Sequence, residues 1–229
     1  MKKTAILFII CTTILTLSAC GSHPSQSGAG TDTGGNTPSS EVEEFMKDQD
    51  TTVPVGEENS ASGQQGGILV AYFSHTGNTE TIANMIAEYT GGDLFQVETT
   101  TVYPDEYNDL IAQARQEQDD DARPELSSSV ENMDDYDTVF IGYPNWWGTM
   151  PMTMFTFLES YDFSGKTVIP FCTHEGSALG RSESDITELI PDAELLEGLA
   201  IRGSNVDSAG SDVTHWLEEL GFRSPTGSK

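Results

Sequence analysis

The chain has 229 residues, and its 37 Asp and Glu residues against 10 Lys and Arg residues give a formal net charge of −27. Nucleic acids and anionic lipid surfaces are bound through cationic groups, so this charge argues against both as partners. Apolar residues make up 36% of the chain, a share that argues against disorder over its whole length.

The first residues have the pattern of a signal peptide. A basic start, Met1–Lys3, is followed by an apolar run from Ala5 to Leu17 that is shorter than the roughly 20 residues needed to span a bilayer. The run ends in the sequence Leu-Ser-Ala-Cys, which resembles a bacterial lipobox. We therefore expect residues 1–19 to be removed and Cys20 to become a lipid-modified N-terminus. The alternative is an ordinary secretory peptide with a chance cysteine.

Residues 20–66 are rich in Gly, Ser, Thr, Asn and Gln, with scattered acidic residues, and predict a flexible tether. The remainder, residues 67–229, has the size of one domain and carries a net charge of −22. Cys172 is the one cysteine in that domain, so it has no partner there for an intramolecular disulfide. Its apolar surroundings favour a small buried side chain over a nucleophile.

Apolar runs of strand length alternate with helical periodicities through the domain. The predicted strands cover residues 68–73, 94–97, 138–143, 167–172 and 195–201. The predicted helices cover residues 79–89, 104–114, 151–158, 182–190 and 208–220. Five alternations predict an α/β fold, a doubly wound five-stranded parallel sheet with helices on both faces. Ligands of such sheets bind beyond the carboxyl ends of the strands, so we expect the loops after the first, third and fourth strands to carry the function.

The loop after the first strand leads directly into a helix and has the composition of a phosphate site. Hydroxyl and amide side chains surround a glycine where unpaired helical N–H groups and the helix dipole favour an anion. The loop has no Lys or Arg, which predicts one phosphoryl group bound without cations. The alternative is that one residue merely caps the helix. The candidate residues are Ser74, His75, Thr76, Gly77, Asn78 and Thr79, with His75 contributing its backbone.

The loop after the third strand contains adjacent tryptophans in a turn rich in Gly and Pro. Both cannot point into the core, and an indole exposed at the ligand edge can stack on a planar ring. One buried and one surface tryptophan is the alternative. Next to a phosphate loop, the pair favours an aromatic nucleotide. The candidate residues are Pro144, Asn145, Trp146, Trp147 and Gly148.

The loop after the fourth strand combines glycine, which allows close backbone approach, with polar groups that could meet the edge of a ring. Its candidate residues are Thr173, His174, Glu175, Gly176 and Ser177. His174 could act in acid–base chemistry, with a ring-edge or solvent-facing position as the alternative. We expect His215 at the surface, and the histidines and Cys172 show no metal-ligand spacing.

In this order, the three loops resemble those of the flavodoxin family over about residues 67–221. Residues 74–79 are similar to the family's FMN-phosphate signature, and residues 144–148 and 173–177 to its two isoalloxazine loops. The resemblance implies a flavodoxin-like three-layer α/β/α fold that binds FMN non-covalently through these residues. It also implies a short-chain member, without an insertion that splits the fifth strand.

The resemblance implies an FMN-dependent electron carrier. The lipobox would anchor it, through lipid alone, at the extracytoplasmic face of the cell membrane, as a monomer or weak homodimer. Its partner would be a redox protein or the membrane quinone system. A negative protein field would lower the potential of FMN, although the acidity could serve only solubility.

Two other functions remain open. One is an FMN-dependent NAD(P)H:quinone or nitro-type reductase, for which Arg181 is the only nearby base able to hold the phosphates of a nicotinamide cofactor. The other is a binding lipoprotein that has lost its flavin.

Overall fold

The computed structural model of the chain describes residues 66–224. The predicted signal peptide, Cys20 and nearly all of the predicted tether lie outside the described residues. Among the described residues, no helix combines the length and the apolar composition that crossing a bilayer requires.

One parallel sheet lies at the centre of the domain, as predicted. Its strands run in the order β2-β1-β3-β4, and two short strands, β5 and β6, share the fifth position beside β4. The strands are β1 (Gly67–Tyr72), β2 (Asp93–Gln96), β3 (Tyr136–Pro144), β4 (Thr167–His174), β5 (Glu194–Leu195) and β6 (Leu199–Arg202). The direction of strand progression reverses between β1 and β3, which is the switch point where such sheets bind ligands.

The break in the fifth strand is a correction to the predicted continuous strand over residues 195–201. The N–H of Leu196 donates to the carbonyl of Val168 on β4 (3.0 Å). The backbone of Pro170, two residues further along β4, points towards the same neighbouring strand. Proline has no N–H to donate to that strand. A Cβ on Gly198 would lie only 2.9 Å from the Pro170 ring. Proline therefore interrupts the ladder for three residues, 196–198, with no long insertion.

Helices cover both faces of the sheet. They are α1 (Asn78–Thr90), α2 (Tyr107–Asp119), α3 (Met152–Glu159), α4 (Ser182–Leu189) and α5 (Gly210–Glu219), with 3₁₀ turns at Met133–Asp135 and Gly203–Ser208. The last helix thus starts two residues later than predicted, because Ser208, its expected first residue, still belongs to the second 3₁₀ segment. The domain has the three layers that the alternation predicted.

Each face of the sheet has its own apolar core. On one face, Val70 and Phe140 of the strands pack with Ile82 and Ile86 of α1 and with Leu217 of α5, all fully buried or nearly so. The other face packs mainly against α3 and α4. Burying one such side chain contributes about 1.5–3 kcal/mol, so the two cores supply the rigidity that positions the loops.

Strands β1, β3, β4 and β6 end at the same edge of the sheet, which we call the ligand edge. It carries loop 1 (residues 73–77), loop 2 (residues 145–151) and loop 3 (residues 175–181). Pro144 of β3 pairs with Thr173 of β4, so loops 2 and 3 leave the sheet side by side. All sixteen predicted ring and phosphate contacts lie in these loops or within two residues of them.

Candidate functional site

Helix α1 begins without a side-chain cap at the ligand edge. Gly77 takes the N-cap position with φ 86° and, having no side chain, supplies no cap hydrogen bond to the first N–H groups of the helix. The first helical hydrogen bond runs from Thr81 N to Gly77 O (2.9 Å), so the N–H groups of residues 78–80 have no acceptor inside the helix. The alternative in which a polar side chain of this segment caps the helix is therefore not what forms.

Ser74 supplies the most informative atom of loop 1. Its Oγ is shielded from solvent and is the one buried side-chain polar atom among residues 66–224 without a hydrogen-bond partner. Leaving a buried hydroxyl unpaired costs about 1–3 kcal/mol. A hydroxyl, uncapped N–H groups and the positive end of a helix dipole together suit an anionic oxygen ligand.

The other polar side chains of this segment have different surroundings. The hydroxyls of Thr79 and Thr173 share a buried hydrogen bond of 2.9 Å, which ties the start of α1 to the end of β4. A Cβ on Gly203 would lie 2.9 Å from Asn78 Nδ2 and 2.5 Å from Glu175 Oε1. Asn78 thus lies near loop 3, and Ser74 and Thr76 remain the hydroxyls free to meet a ligand.

The two tryptophans of loop 2 lie in different environments. Trp146 is half-buried and meets the rings of Phe73 and Tyr103 edge-on, with centroids 5.5 and 5.3 Å away. Trp147 is 50% exposed, and its Nε1 donates to the carbonyl of Ile111 on α2 (3.0 Å). The prediction that both cannot enter the core is confirmed. Trp146 packs against other rings without being fully buried, and Trp147 lies at the surface.

A tight turn separates the two indoles. Trp146 and Thr149 exchange backbone hydrogen bonds of 2.8 and 3.3 Å, and the two residues between them, Trp147 and Gly148, have φ of 54° and 86°. Two central residues with positive φ are typical of a type I′ turn. Because of this turn, the Trp146 side chain points towards loop 1. The centroid of its ring lies 6.1 Å from the centroid of the His75 ring.

At the end of β4, directly before loop 3, His174 Nδ1 accepts a hydrogen bond from the N–H of Gly176 (2.9 Å). An accepting Nδ1 places the ring proton on Nε2, so His174 presents a donor to its surroundings. Arg202, at the end of β6, pairs with His174 in the sheet register and donates from Nη2 to the carbonyl of Glu175 (2.8 Å).

The remaining predicted side chains behave as small or surface groups. Cys172 is buried, its Sγ lies 3.3 Å from the carbonyl oxygen of Ala178, and burial raises its pKa to about 12. The thiol is therefore protonated at neutral pH, in agreement with a buried apolar role. His215 is exposed on α5 beside Glu219, as predicted.

The family model described as flavodoxin matches residues 67–220. The chain belongs to the flavodoxin family. The matched range runs from the first residue of β1 to the residue after α5, so it takes in every strand and every helix of the domain. No curated protein matches the chain.

Two solved structures share sequence as well as fold with this flavodoxin-family chain. A candidate flavoprotein of Bacteroides eggerthii is 34% identical with a TM-score of 0.62, over 69% of this chain and 99% of its own. One of Bacteroides uniformis is 33% identical with a TM-score of 0.60, over 68% and 99%. The Lactobacillus acidophilus flavoprotein, solved in complex with FMN, is 23% identical with a TM-score of 0.51, over 62% and 97%, and shows the fold alone.

Arg181 is not the only arginine near the ligand edge of this flavodoxin-family domain, because Arg115 lies 5.5 Å from the Trp147 ring centroid and Arg202 contacts loop 3. Arg181 forms an ion pair with Asp185 on α4 (3.1 Å). Arg202 is exposed, and its Nη2 donates to the carbonyl oxygen of Glu175 rather than to a carboxylate. The expectation that Arg181 is the only nearby base was therefore wrong. The signal was available, since Arg202 directly follows the apolar run of the fifth strand.

Carboxylates act on this edge of the domain. Burial raises the pKa of Tyr72, the last residue of β1, and the negative charges of Glu80 and Glu98 raise it further. Within residues 66–224, no group of three or more His, Cys, Asp or Glu side chains could hold a metal ion. The edge thus combines an uncapped helix start that suits an anion, packed aromatic rings and nearby carboxylates.

Proposed function

We propose that this chain is a short-chain, lipid-anchored flavodoxin that binds FMN and carries electrons at the extracytoplasmic face of the cell membrane. The observation that carries the proposal is the unpaired, buried Oγ of Ser74 at the uncapped start of α1. A phosphate oxygen would accept a hydrogen bond from this hydroxyl and from the free N–H groups of residues 78–80.

The chain's own residues fit the parts of FMN. Ser74, Thr76 and the first turn of α1 would hold the phosphate. Trp146 would lie against the ring system, because it faces loop 1 while Trp147 is fastened to α2. Loop 3 would meet the polar edge of the ring, with His174 Nε2–H as a donor. When bound, FMN supplies one- and two-electron redox chemistry that protein side chains lack.

The acidity of the domain supports the carrier role. Glu80 and Glu98 are close enough to the end of β1 to raise the pKa of Tyr72, so their field reaches the proposed site. Carboxylates there disfavour the negative charge that an added electron brings. By Coulomb's law, one carboxylate 10 Å away contributes about 1.7 kcal/mol at an effective dielectric constant of 20, before salt screening.

The membrane location rests on the sequence around Cys20. A diacylglycerol group on this cysteine would tether the domain through residues 20–66, without help from the acidic surface. The test expresses the chain and its Cys20→Ser variant in bacterial cells that attach lipid to lipobox cysteines, and compares where the two proteins are found. Lipid on Cys20 by mass spectrometry, and loss of the variant from the membrane fraction, would support the anchor. A variant that stays in the membrane fraction as the parent does would contradict it.

The cofactor is tested by titrating the purified full chain with FMN and recording the visible spectrum and the flavin fluorescence. We expect shifted absorption bands and quenched fluorescence at micromolar or lower concentrations, with weaker binding of riboflavin, which lacks the phosphate. Folded protein that leaves both spectra unchanged would refute the proposal and favour a binding lipoprotein without flavin.

A second function, an FMN-dependent NAD(P)H:quinone or nitro-type reductase, is favoured by one observation. Arg202 is an exposed cation at the ligand edge that could hold a phosphate of a nicotinamide cofactor. Sustained NAD(P)H oxidation with a quinone, slowed by Arg202→Gln mainly through a higher KM for NAD(P)H, would establish the reductase. Slow NAD(P)H oxidation at a rate that Arg202→Gln does not change would argue against the reductase and favour the electron carrier.

A further inference from the structure

Loops 2 and 3 are fastened to each other through the side chain of Asn145. Its Nδ2 donates to the carbonyl of Ala178 in loop 3 (2.7 Å), and its Oδ1 accepts from the N–H of Gly148 in loop 2 (3.0 Å). Its backbone N–H donates to the carbonyl of Thr173 at the end of β4 (2.8 Å). One donor of its NH2 group and one lone pair of its Oδ1 are therefore engaged with protein, and both bonds hold loop backbone.

A second hydrogen bond, between backbone groups, also joins loop 3 to loop 2. The N–H of Arg181 donates to the carbonyl of Gly148 (2.9 Å). Gly180 has φ 62°, and a Cβ there would lie 2.2 Å from the Gly148 oxygen and 3.0 Å from Asn145 Nδ2. The close approach of the loops thus requires a glycine at position 180.

Each loop also holds one non-glycine residue at positive φ, Trp147 at 54° in loop 2 and Ala178 at 49° in loop 3. Such backbone conformations persist only where the surroundings enforce them. The residues that fasten the loops are direct neighbours of both. The carbonyl of Ala178 accepts from Asn145, and Gly148 directly follows Trp147.

We propose that Asn145 is a positioning residue that locks loops 2 and 3 into a single unit, rather than a residue that contacts the cofactor ring. This inference rests on the proposed FMN site, whose ring part the two loops would form together. The lock exists without ligand, because all its donors and acceptors belong to the chain. The lock gives the amide at position 145 a role within the protein, in place of the predicted contact with the ring.

The substitution Asn145→Asp isolates the lock. The aspartate keeps the acceptor for Gly148 N–H but replaces the donor to Ala178 by an oxygen that repels the carbonyl. Asn132→Asp is the control, because it makes the same change at an exposed residue before the opposite end of β3. In the full chain without FMN, we expect Asn145→Asp alone to speed hydrogen exchange in residues 178–181 and to change the tryptophan emission. Unchanged exchange in those residues would overturn the proposal.

Binding provides the second readout. We expect Asn145→Asp to weaken FMN and riboflavin by the same factor, about tenfold or more, because the ring loops change while loop 1 does not. Gly180→Ala should do the same, and the double variant should be no weaker than either single one, because both open one junction. Additive losses would indicate that Asn145 contacts the ring directly and would overturn the proposal. If Gly180→Ala does not fold, the exchange result decides.

Different results would refute the FMN site and the lock between loops 2 and 3. Parent protein that does not retain FMN refutes the FMN site, while the exchange experiment still tests the lock in the ligand-free chain. Parent protein that binds FMN, with exchange and affinity unchanged in Asn145→Asp, refutes the lock alone.

Discussion

The hydroxyls of Thr79 and Thr173, 94 residues apart, share a buried hydrogen bond of 2.9 Å. Thr79 lies in the first turn of α1 and Thr173 near the end of β4, and both side chains are almost fully buried. The bond therefore connects the proposed phosphate site to the proposed ring site through the inside of the domain.

The hydrogen bond between Thr79 and Thr173 predicts how single and double variants at these positions change the unfolding free energy. Thr79→Val or Thr173→Val leaves the other hydroxyl buried without its partner, which we expect to cost about 1–3 kcal/mol of unfolding free energy. The double variant should be less destabilised than the sum of the two single variants, because no orphan hydroxyl remains. Urea denaturation measures this, with the exposed Thr187→Val on α4 as control. Strictly additive losses would show that the two hydroxyls do not interact.

The two tryptophans of loop 2 are expected to differ in their effect on FMN. Trp146→Phe should weaken FMN binding several-fold and reduce the quenching of flavin fluorescence, because a smaller ring faces loop 1. Trp147→Phe should leave both nearly unchanged, since that indole is held on α2 by its bond to Ile111. Fluorescence titration of both variants measures this. A larger effect at Trp147 would mean that the surface indole stacks on the ring.

The acidic field is expected to act on the redox potential. Glu98→Gln removes one negative charge near the end of β1, so adding an electron becomes easier and the midpoint potential of bound FMN should rise by on the order of tens of millivolts. The difference should shrink as salt is raised. Glu131→Gln, before the opposite end of β3, is the matched control. A fall in potential, or equal shifts in both variants, would argue that the acidity serves only solubility.

Cys172 is expected to be unreactive in the folded chain. Burial raises its pKa to about 12, so almost no thiolate forms at pH 8 and no reagent reaches it. Iodoacetamide should label it only after unfolding in urea, with Cys172→Ala identifying the signal. The unfolded thiol titrates first, so this group's contribution to stability is lost as pH rises from about 9 to 12. Rapid labelling of native protein would contradict the burial.

Most of the fold could be predicted from the sequence because it rests on local patterns. The continuous apolar runs of β1, β3 and β4 and the helical spacing of Ile82 and Ile86 depend only on neighbouring residues. The break in the fifth strand does not. It follows from the missing N–H of Pro170, whose effect appears only once β4 is known to lie beside that strand.

The candidate site could be predicted in part for the same reason. Loop composition indicated the segment that we propose binds the phosphate, since a glycine turn with hydroxyl side chains before a helix is a local feature. The roles of individual side chains depended on distant partners. Asn145 bonds to a residue 33 positions away, and Thr79 to one 94 positions away. Residue types alone could not separate these structural bonds from contacts to a ligand.

Ser74 provides the most direct measurement of the central claim. The affinities of the full chain for FMN and for riboflavin are compared between the parent and Ser74→Ala, with the exposed Ser128→Ala as control. We expect Ser74→Ala to weaken FMN about tenfold, to leave riboflavin unchanged, and to leave the ligand-free chain as stable or more stable, because an unpaired buried hydroxyl is removed. Equal affinity of the parent for FMN and riboflavin, or equal losses of both in the variant, would contradict a phosphate held at the start of α1.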